Sequence, residues 1–284
     1  MTEYASTLQR KGLRIGLVPT MGYLHEGHLS LVRLLDGKCD VKGASIFVNP
    51  LQFSAGEDLE KYPRVESGDL VLLADAGCDF AFCLDAAEMY PPDFQTYIEV
   101  EELSKPLCGR FRPGHFRGVA TIVNRLFTLT RCGVAAFGLK DYQQALIISQ
   151  MVKDLNLPVE LVFGETLREK DGMAMSSRNA YLSAEERVIA NHIPKSLEWA
   201  RRQSEQGLNE CSLLLDGMAM ILNPAAGVQI QYLEAVDPET LQPRTEVGDA
   251  VQILLAVFVG KTRLLDNIRI GSGSGTKPIA GVEV

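Results

Sequence analysis

No stretch of this sequence stays apolar for anything near the ~20 residues that a membrane-spanning helix requires, which argues against an integral membrane protein. Positive charge is not in excess either. The 28 Lys+Arg are outnumbered by 36 Asp+Glu, giving a formal net charge of -8. A diffusely acidic chain is a poor match for nucleic acid or an anionic membrane surface. It leaves room for a small anionic substrate, because a few local cations outweigh the mean field. Six cysteines are present, but none forms a C-x-x-C pair and their spacing fits no zinc pattern. They read as small hydrophobes in a reducing compartment. The first residues, Met1-Thr2-Glu3-Tyr4, carry a charge and no apolar signal core. The expectation is therefore a cytoplasmic protein with no nucleic-acid or membrane partner.

Internal repeats are also missing. Instead, β-branched runs alternate with helical patterns through the first two thirds. Strands are expected at Arg14–Thr20, Val41–Asn49, Asp79–Leu84, Val134–Phe137 and Pro158–Phe163. Helices are expected at His28–Leu35, Asp69–Ala76, Gly118–Thr130 and Asp141–Leu155. This alternation predicts an α/β fold, a doubly wound parallel sheet with helices on both faces. The last third differs. Ser183-Ala-Glu-Glu186 is a capping box that opens a long helix through Arg202, and a second helix covers Glu210–Leu222. Three strands follow at Val228–Glu234, Ala250–Val259 and Thr262–Ile270, the last two joined by a tight turn at Gly260-Lys261. The reading is a first domain over 1–167, a smaller C-terminal α+β domain over 168–284, and a flexible tail from Gly271-Ser-Gly-Ser-Gly275.

The first expected strand runs into Pro19-Thr20-Met21-Gly22-Tyr23-Leu24-His25-Glu26-Gly27-His28. Its core, H-x-G-H, lies between a strand and a helix. Ligands of open parallel sheets bind beyond the carboxyl ends of strands. A helix N-terminus offers free amides and a dipole suited to phosphate. Two imidazoles three residues apart can donate to charge developing on a phosphate. Alternatively, the histidines merely cap the helix. A zinc site would require further ligands that are not at suitable spacing.

The second candidate is Arg168-Glu-Lys-Asp-Gly-Met-Ala-Met-Ser-Ser-Arg178-Asn179. Its hydroxyls can donate to phosphate oxygens, and Arg178 can grip them bidentately. Taken alone, it is also an ordinary polar loop. Together, H-x-G-H and a later Ser/Arg loop resemble the signature pair of the adenylyl-transferring nucleotidyltransferases.

Longer segments narrow the resemblance. Pro19–Leu31, Ser45–Phe53 (SIFVNPLQF), Gly114–Thr121 (GHFRGVAT), Phe137–Gln144 (FGLKDYQQ), Met175–Asn179 (MSSRN) and Thr262–Asn267 (TRLLDN) are similar, in order, to segments of the pantothenate synthetase (pantoate–β-alanine ligase) family. The resemblance implies a Rossmann-like first domain that binds nucleotide and pantoate, a C-terminal lid domain, and a homodimer. It implies ATP as co-substrate with Mg2+, and pantoate and β-alanine as substrates. The reaction would pass through pantoyl adenylate and release pyrophosphate and AMP.

The site residues carry over by motif. Pro19 and Met21 to His28 line the ATP site, with His28 and His25 catalytic. Gly138, Leu139, Lys140 and Asp141 also meet the nucleotide, Lys140 neutralising phosphate and Asp141 meeting the ribose or its metal. Leu167, Met175, Ser176, Ser177 and Arg178 complete that site. Gln52 and Gln144 bond pantoate, supported by Asn49, Thr20 and Met21. Arg112 and His115 either receive the β-alanine carboxylate or form a loop salt bridge. No residue is assigned as a direct metal ligand. Two departures stand out, because the family normally has Glu where Leu139 stands and Thr where Leu51 stands. Two rival readings remain: another adenylyl-transferring enzyme of this superfamily, or a non-catalytic nucleotide-binding homologue.

Overall fold

A computed structural model describes residues 1–54, 56–223 and 227–271. The expected tail beyond Gly271 lies outside the described residues. The chain forms two compact units. The first comprises Met1–Leu139 and Gln143–Glu165, and the second Lys140–Tyr142 and the residues from Thr166 onward.

The first unit opens with helix α1 (Thr2–Arg10) and strand β1 (Ile15–Thr20), followed by α2 (Glu26–Leu34) and β2 (Val41–Ile46). Next come α3 (Glu66–Asp75), β3 (Phe80–Cys83) and two single-turn helices, α4 (Ala86–Met89) and α5 (Cys108–Phe111). The long α6 (His115–Thr130), β4 (Val134–Gly138), α7 (Tyr142–Asp154) and β5 (Glu160–Gly164) complete it. The five strands are parallel in the order β3-β2-β1-β4-β5. Connections run leftward from β1 and rightward from β4. Right-handed crossovers therefore put α2 and α7 on opposite faces. Such two-sided cover explains why β1 is apolar and almost wholly buried rather than alternating. Val18, Leu29, Val32, Leu73, Val134 and Val162 form one side of this core.

The order reverses between β1 and β4, and this is where open α/β sheets bind ligands. Leu17 lies opposite Ala135. Three residues further on, β1 ends at Thr20 and β4 at Gly138. The H-x-G-H loop and the Gly138-Leu139 turn thus leave the same edge of the sheet from neighbouring strands.

In the second unit, α8 (Ala184–Ala190), α9 (His192–Glu205) and α10 (Cys211–Leu222) precede an antiparallel sheet of β6 (Val228–Val236), β7 (Val251–Val259) and β8 (Thr262–Ile270). The Ser183 capping box is formed, with Ser183 accepting from the Glu186 N–H and Glu186 from the Ser183 N–H. The single long helix expected from it is instead two, joined at Asn191. The reason is Pro194, whose ring obstructs the Ala190 carbonyl and which supplies no N–H. In the first turn of a new helix it is tolerated. Helices α9 and α10 pack on the sheet through Leu197, Leu214 and Met218, against Ile253, Leu255 and Val257. Trp199 lies over Gly217, where any side chain would collide with the indole. Among the described residues, no helix is long and apolar enough to cross a membrane.

Candidate active site

The loop after β1 is shaped by internal hydrogen bonds. Thr20 Oγ1 donates to the Ser45 carbonyl (2.6 Å) and accepts from the Gly22 N–H (3.2 Å). Gly22 and Tyr23 both take left-handed backbone conformations, at φ 79° and 50°. Glycine suits the first, where a Cβ would also press on Asp69 and Ile46. The two turns aim consecutive amides inward. The Tyr23 N–H donates to Asp69 Oδ2 (2.8 Å) and the Leu24 N–H to Oδ1 (2.7 Å). Asp69 stands in the first turn of α3 and is only 3% exposed. A single buried carboxylate therefore clamps the loop from 46 residues away.

Asp69→Asn tests this clamp. An amide accepts one N–H through its oxygen but presents its own N–H groups to the other donor. Hydrogen bonds to a charged group contribute about 1.5–3 kcal/mol, and 1 kcal/mol is about 2–4 °C in a chain of this size class. The expected result is a melting temperature lower by roughly 3–12 °C, read by differential scanning calorimetry. An unchanged transition would refute the clamp.

The two histidines close the N-terminus of α2. His25 is the N-cap and its Nδ1 accepts from the Gly27 N–H (3.2 Å). His28, three residues on, accepts through Nδ1 from the His25 N–H (3.3 Å). An imidazole whose Nδ1 accepts carries its proton on Nε2. Both rings are therefore fixed as Nε2–H donors, with centroids 4.0 Å apart. The capping and phosphate-donor readings of H-x-G-H are thus compatible: the cap consumes the acceptor nitrogen and sets the tautomer of the donor. Among the described residues, no group of three or more His, Cys, Asp or Glu could hold a metal ion.

Beside this loop lies a second network in the same unit. Asn49 is 1% exposed and has all four amide positions in use. Its Oδ1 accepts from Tyr90 Oη (2.8 Å) and the Leu51 N–H (3.3 Å). Its Nδ2 donates to Gln52 Oε1 and the Gly118 carbonyl, both at 3.1 Å. The approach to Gly118 is so close that a Cβ there would fall 2.3 Å from the Leu51 oxygen. Burial pushes the Tyr90 phenol up, with Arg125 opposing, so it remains a donor. With its oxygen held, Gln52 turns its NH2 toward Met21 Sδ (2.9 Å), a weak acceptor.

The Gln52 carbonyl is gripped too, by Arg112 Nη2 (3.1 Å) and His115 Nδ1 (2.8 Å). Arg112 forms the loop salt bridge, with two bonds to Glu57 at 2.7 and 2.6 Å. Burial disfavours its charge, but the Glu57 carboxylate outweighs this and its pKa is raised. Gln143 holds the 103–108 turn through the Leu103 and Pro106 carbonyls and the Cys108 N–H. Gln144, next to it in the first turn of α7, is half-buried and its amide has no hydrogen-bond partner among the described residues.

The remaining candidates belong to the second unit. These are Lys140, Asp141, Leu167, Met175, Ser176, Ser177 and Arg178. Lys140 lies in a short 3-10 turn (Leu139–Asp141), with its Nζ 3.8 Å from Asp141 Oδ2. Ser176 caps another such turn (Ser177–Tyr181) by accepting from the Arg178 N–H (3.3 Å). The Met175 N–H donates to the Leu167 carbonyl (2.9 Å), closing the intervening loop.

A family model described as pantoate-beta-alanine ligase matches residues 1–269. The chain belongs to the pantoate–β-alanine ligase family. It is 49% identical to a pantothenate synthetase of Sulfurihydrogenibium sp. (strain YO3AOP1) over 263 residues, which cover 92% of this chain and 94% of the relative. Among solved structures it resembles pantothenate synthetase from Thermus thermophilus, with a TM-score of 0.87, 43% identity, and 93% and 96% of the two chains covered. It also resembles a pantoate-beta-alanine ligase from Francisella tularensis complexed with beta-gamma ATP and β-alanine, with a TM-score of 0.77, 33% identity, and 94% of each chain covered.

Within this pantoate–β-alanine ligase framework, Leu51 leaves the Asn49 cap intact, because that cap uses the backbone N–H of residue 51. Sequence reasoning did not single out Asp69, Tyr90 or Glu57. The only sequence signal for Asp69 is its place in the first turn of a helix, a place it shares with Glu66.

Proposed function

We propose that this chain condenses pantoate with β-alanine to pantothenate, converting ATP to AMP and pyrophosphate through a pantoyl-adenylate intermediate. The observation that carries the reading is the pair of Nε2–H donors fixed at a helix N-terminus beside the switch point of the sheet. It is supported by the family match over 1–269.

In the first step a pantoate carboxylate oxygen attacks the α-phosphorus of ATP, and pyrophosphate leaves with the bonding pair. His25 and His28 donate to the charge that grows on the phosphate oxygens, and the α2 dipole adds to this. Lys140, Ser176, Ser177 and Arg178 hold the phosphates. The Gln52 NH2, held by Asn49 and facing only a thioether, takes a pantoate oxygen, and Gln144 takes another. In the second step the β-alanine amine attacks the acyl carbon, AMP leaves, and the amine gives up a proton. Arg112 is committed to Glu57, so its contribution here is to fix Gln52 rather than to receive a carboxylate.

Asp141 is exposed and belongs to no cluster of three or more candidate metal ligands among the described residues. This suits a magnesium ion that arrives on the nucleotide rather than one caged by protein. When bound, such an ion supplies charge neutralisation on the phosphates. A homodimer and a cytoplasmic location belong to the same proposal; light scattering reads the first.

The test is AMP release from ATP, pantoate, β-alanine and magnesium, with each omitted in turn. All four are expected to be necessary, and pantoate alone is expected to support exchange of pyrophosphate into ATP. Exchange that ignores pantoate but needs a phosphate ester would indicate another adenylyl-transferring enzyme. ATP binding without exchange would indicate a non-catalytic protein.

A further inference from the structure

Lys140, Asp141 and Tyr142 are three residues of chain flanked on both sides by the first unit, yet they pack as part of the second. Two long-range hydrogen bonds account for this. Tyr142 Oη donates to the Pro238 carbonyl (2.8 Å), and Asn267 Nδ2 donates to the carbonyl of Lys140 itself (2.8 Å). Asn267 sits on β8 and is 9% exposed. Its Oδ1 accepts from Gln252 Nε2 (2.7 Å), on the neighbouring strand β7. That bond fixes the orientation of the amide, since a flip would oppose two donors and two acceptors at once.

The preceding residue does the equivalent for the other loop. Asp266, 3% exposed, accepts two bonds from Arg168, at 2.7 and 3.0 Å. Arg168 also donates to the Gly172 carbonyl (3.0 Å), within the segment that leads to Ser176–Arg178. The Asn267 N–H donates to Asp266 Oδ1 (2.8 Å), which couples the two anchors. Adjacent residues on one strand therefore hold the lysine turn and the hydroxyl-guanidinium loop in a common frame.

We infer that Asn267 is a positioning residue for Lys140, and that the Asp266-Asn267 pair sets the spacing between the lysine and the Ser176–Arg178 loop. The inference rests on the proposed phosphate role of Lys140. A lysine chain has four rotatable bonds, so the direction of its backbone decides which volume its ammonium samples. Displacing a catalytic group by about 1 Å costs on the order of 100-fold in rate.

Asn267→Asp is the discriminating substitution. It keeps an oxygen to accept from Gln252 and replaces the donor to Lys140 by a carboxylate oxygen. Pantoate-dependent pyrophosphate exchange is to be measured for the wild type, N267D, K140A and N267D/K140A. The inference expects N267D to lower kcat by about 10- to 30-fold, with the KM for pantoate within about twofold. In the K140A background it expects a further loss of less than about threefold, because a residue acting through another is non-additive with it. If N267D does not fold, N267S serves in the same cycle, since its hydroxyl is too short to reach the Lys140 carbonyl. Wild-type kcat in the folded variant, or an undiminished loss in the K140A background, overturns the inference. Wild-type exchange by K140A alone overturns the phosphate role of the lysine instead, so the two failures are told apart.

Discussion

His28→Asn is expected to reduce pantoate-dependent pyrophosphate exchange by about 100- to 1000-fold, the usual cost of losing one donor aimed at developing charge. Asparagine is the informative choice because its Oδ1 stands where the imidazole Nδ1 stood. It can still accept from the His25 N–H, the bond now made at 3.3 Å, while the Nε2–H is lost. Alanine removes both. Loss of a helix cap costs about 1 kcal/mol, so H28A is expected to melt earlier than H28N although the two have similar residual rates. If H28N kept full exchange while H28A lost it, the histidine would be a cap and nothing more. The result thus separates the two roles that this geometry assigns to one ring.

The strands and the loop after β1 are legible because their causes are local. A strand covered on both faces is a continuous apolar run, and β1 and β4 are almost wholly buried. H-x-G-H and SIFVNPLQF place their residues within a few positions of one another, and the structure joins Met21, Asn49 and Gln52 through direct bonds. What stays hidden is polar and distant. Asp69 acts across 45 and 46 residues, Arg112 on Glu57 across 55, and Asn267 on Lys140 across 127. Such pairs leave no periodicity, because each is a single side chain reaching a single backbone group or charge. Helix α1 is obscure for a different reason: it is largely polar and buries only Ala5 and Leu8. The break at Asn191 was visible in principle, since Pro194 is its cause. The Ser183 capping box correctly marks a helix start but carries no information about how far that helix runs.

The consequence of that distant wiring is clearest at Lys140. Its side chain is 19% exposed and its nearest carboxylate, Asp141, is 3.8 Å away, a pair that contributes little to stability. Lys140→Met is therefore expected to leave the melting temperature within about 2 °C while lowering exchange by about 100- to 1000-fold. The charge of Lys140 is directed by its backbone, which Asn267 holds. The two half-reactions separate this role from a general loss of activity. Once pyrophosphate has left, the phosphate charge that the lysine opposes is largely gone. Preformed pantoyl adenylate should thus react with β-alanine on K140M at close to the wild-type rate, within about threefold. Rapid-quench measurement of each half-reaction reads the difference. Equal slowing of both would place Lys140 at the acyl group or in the architecture, and not on the leaving phosphates.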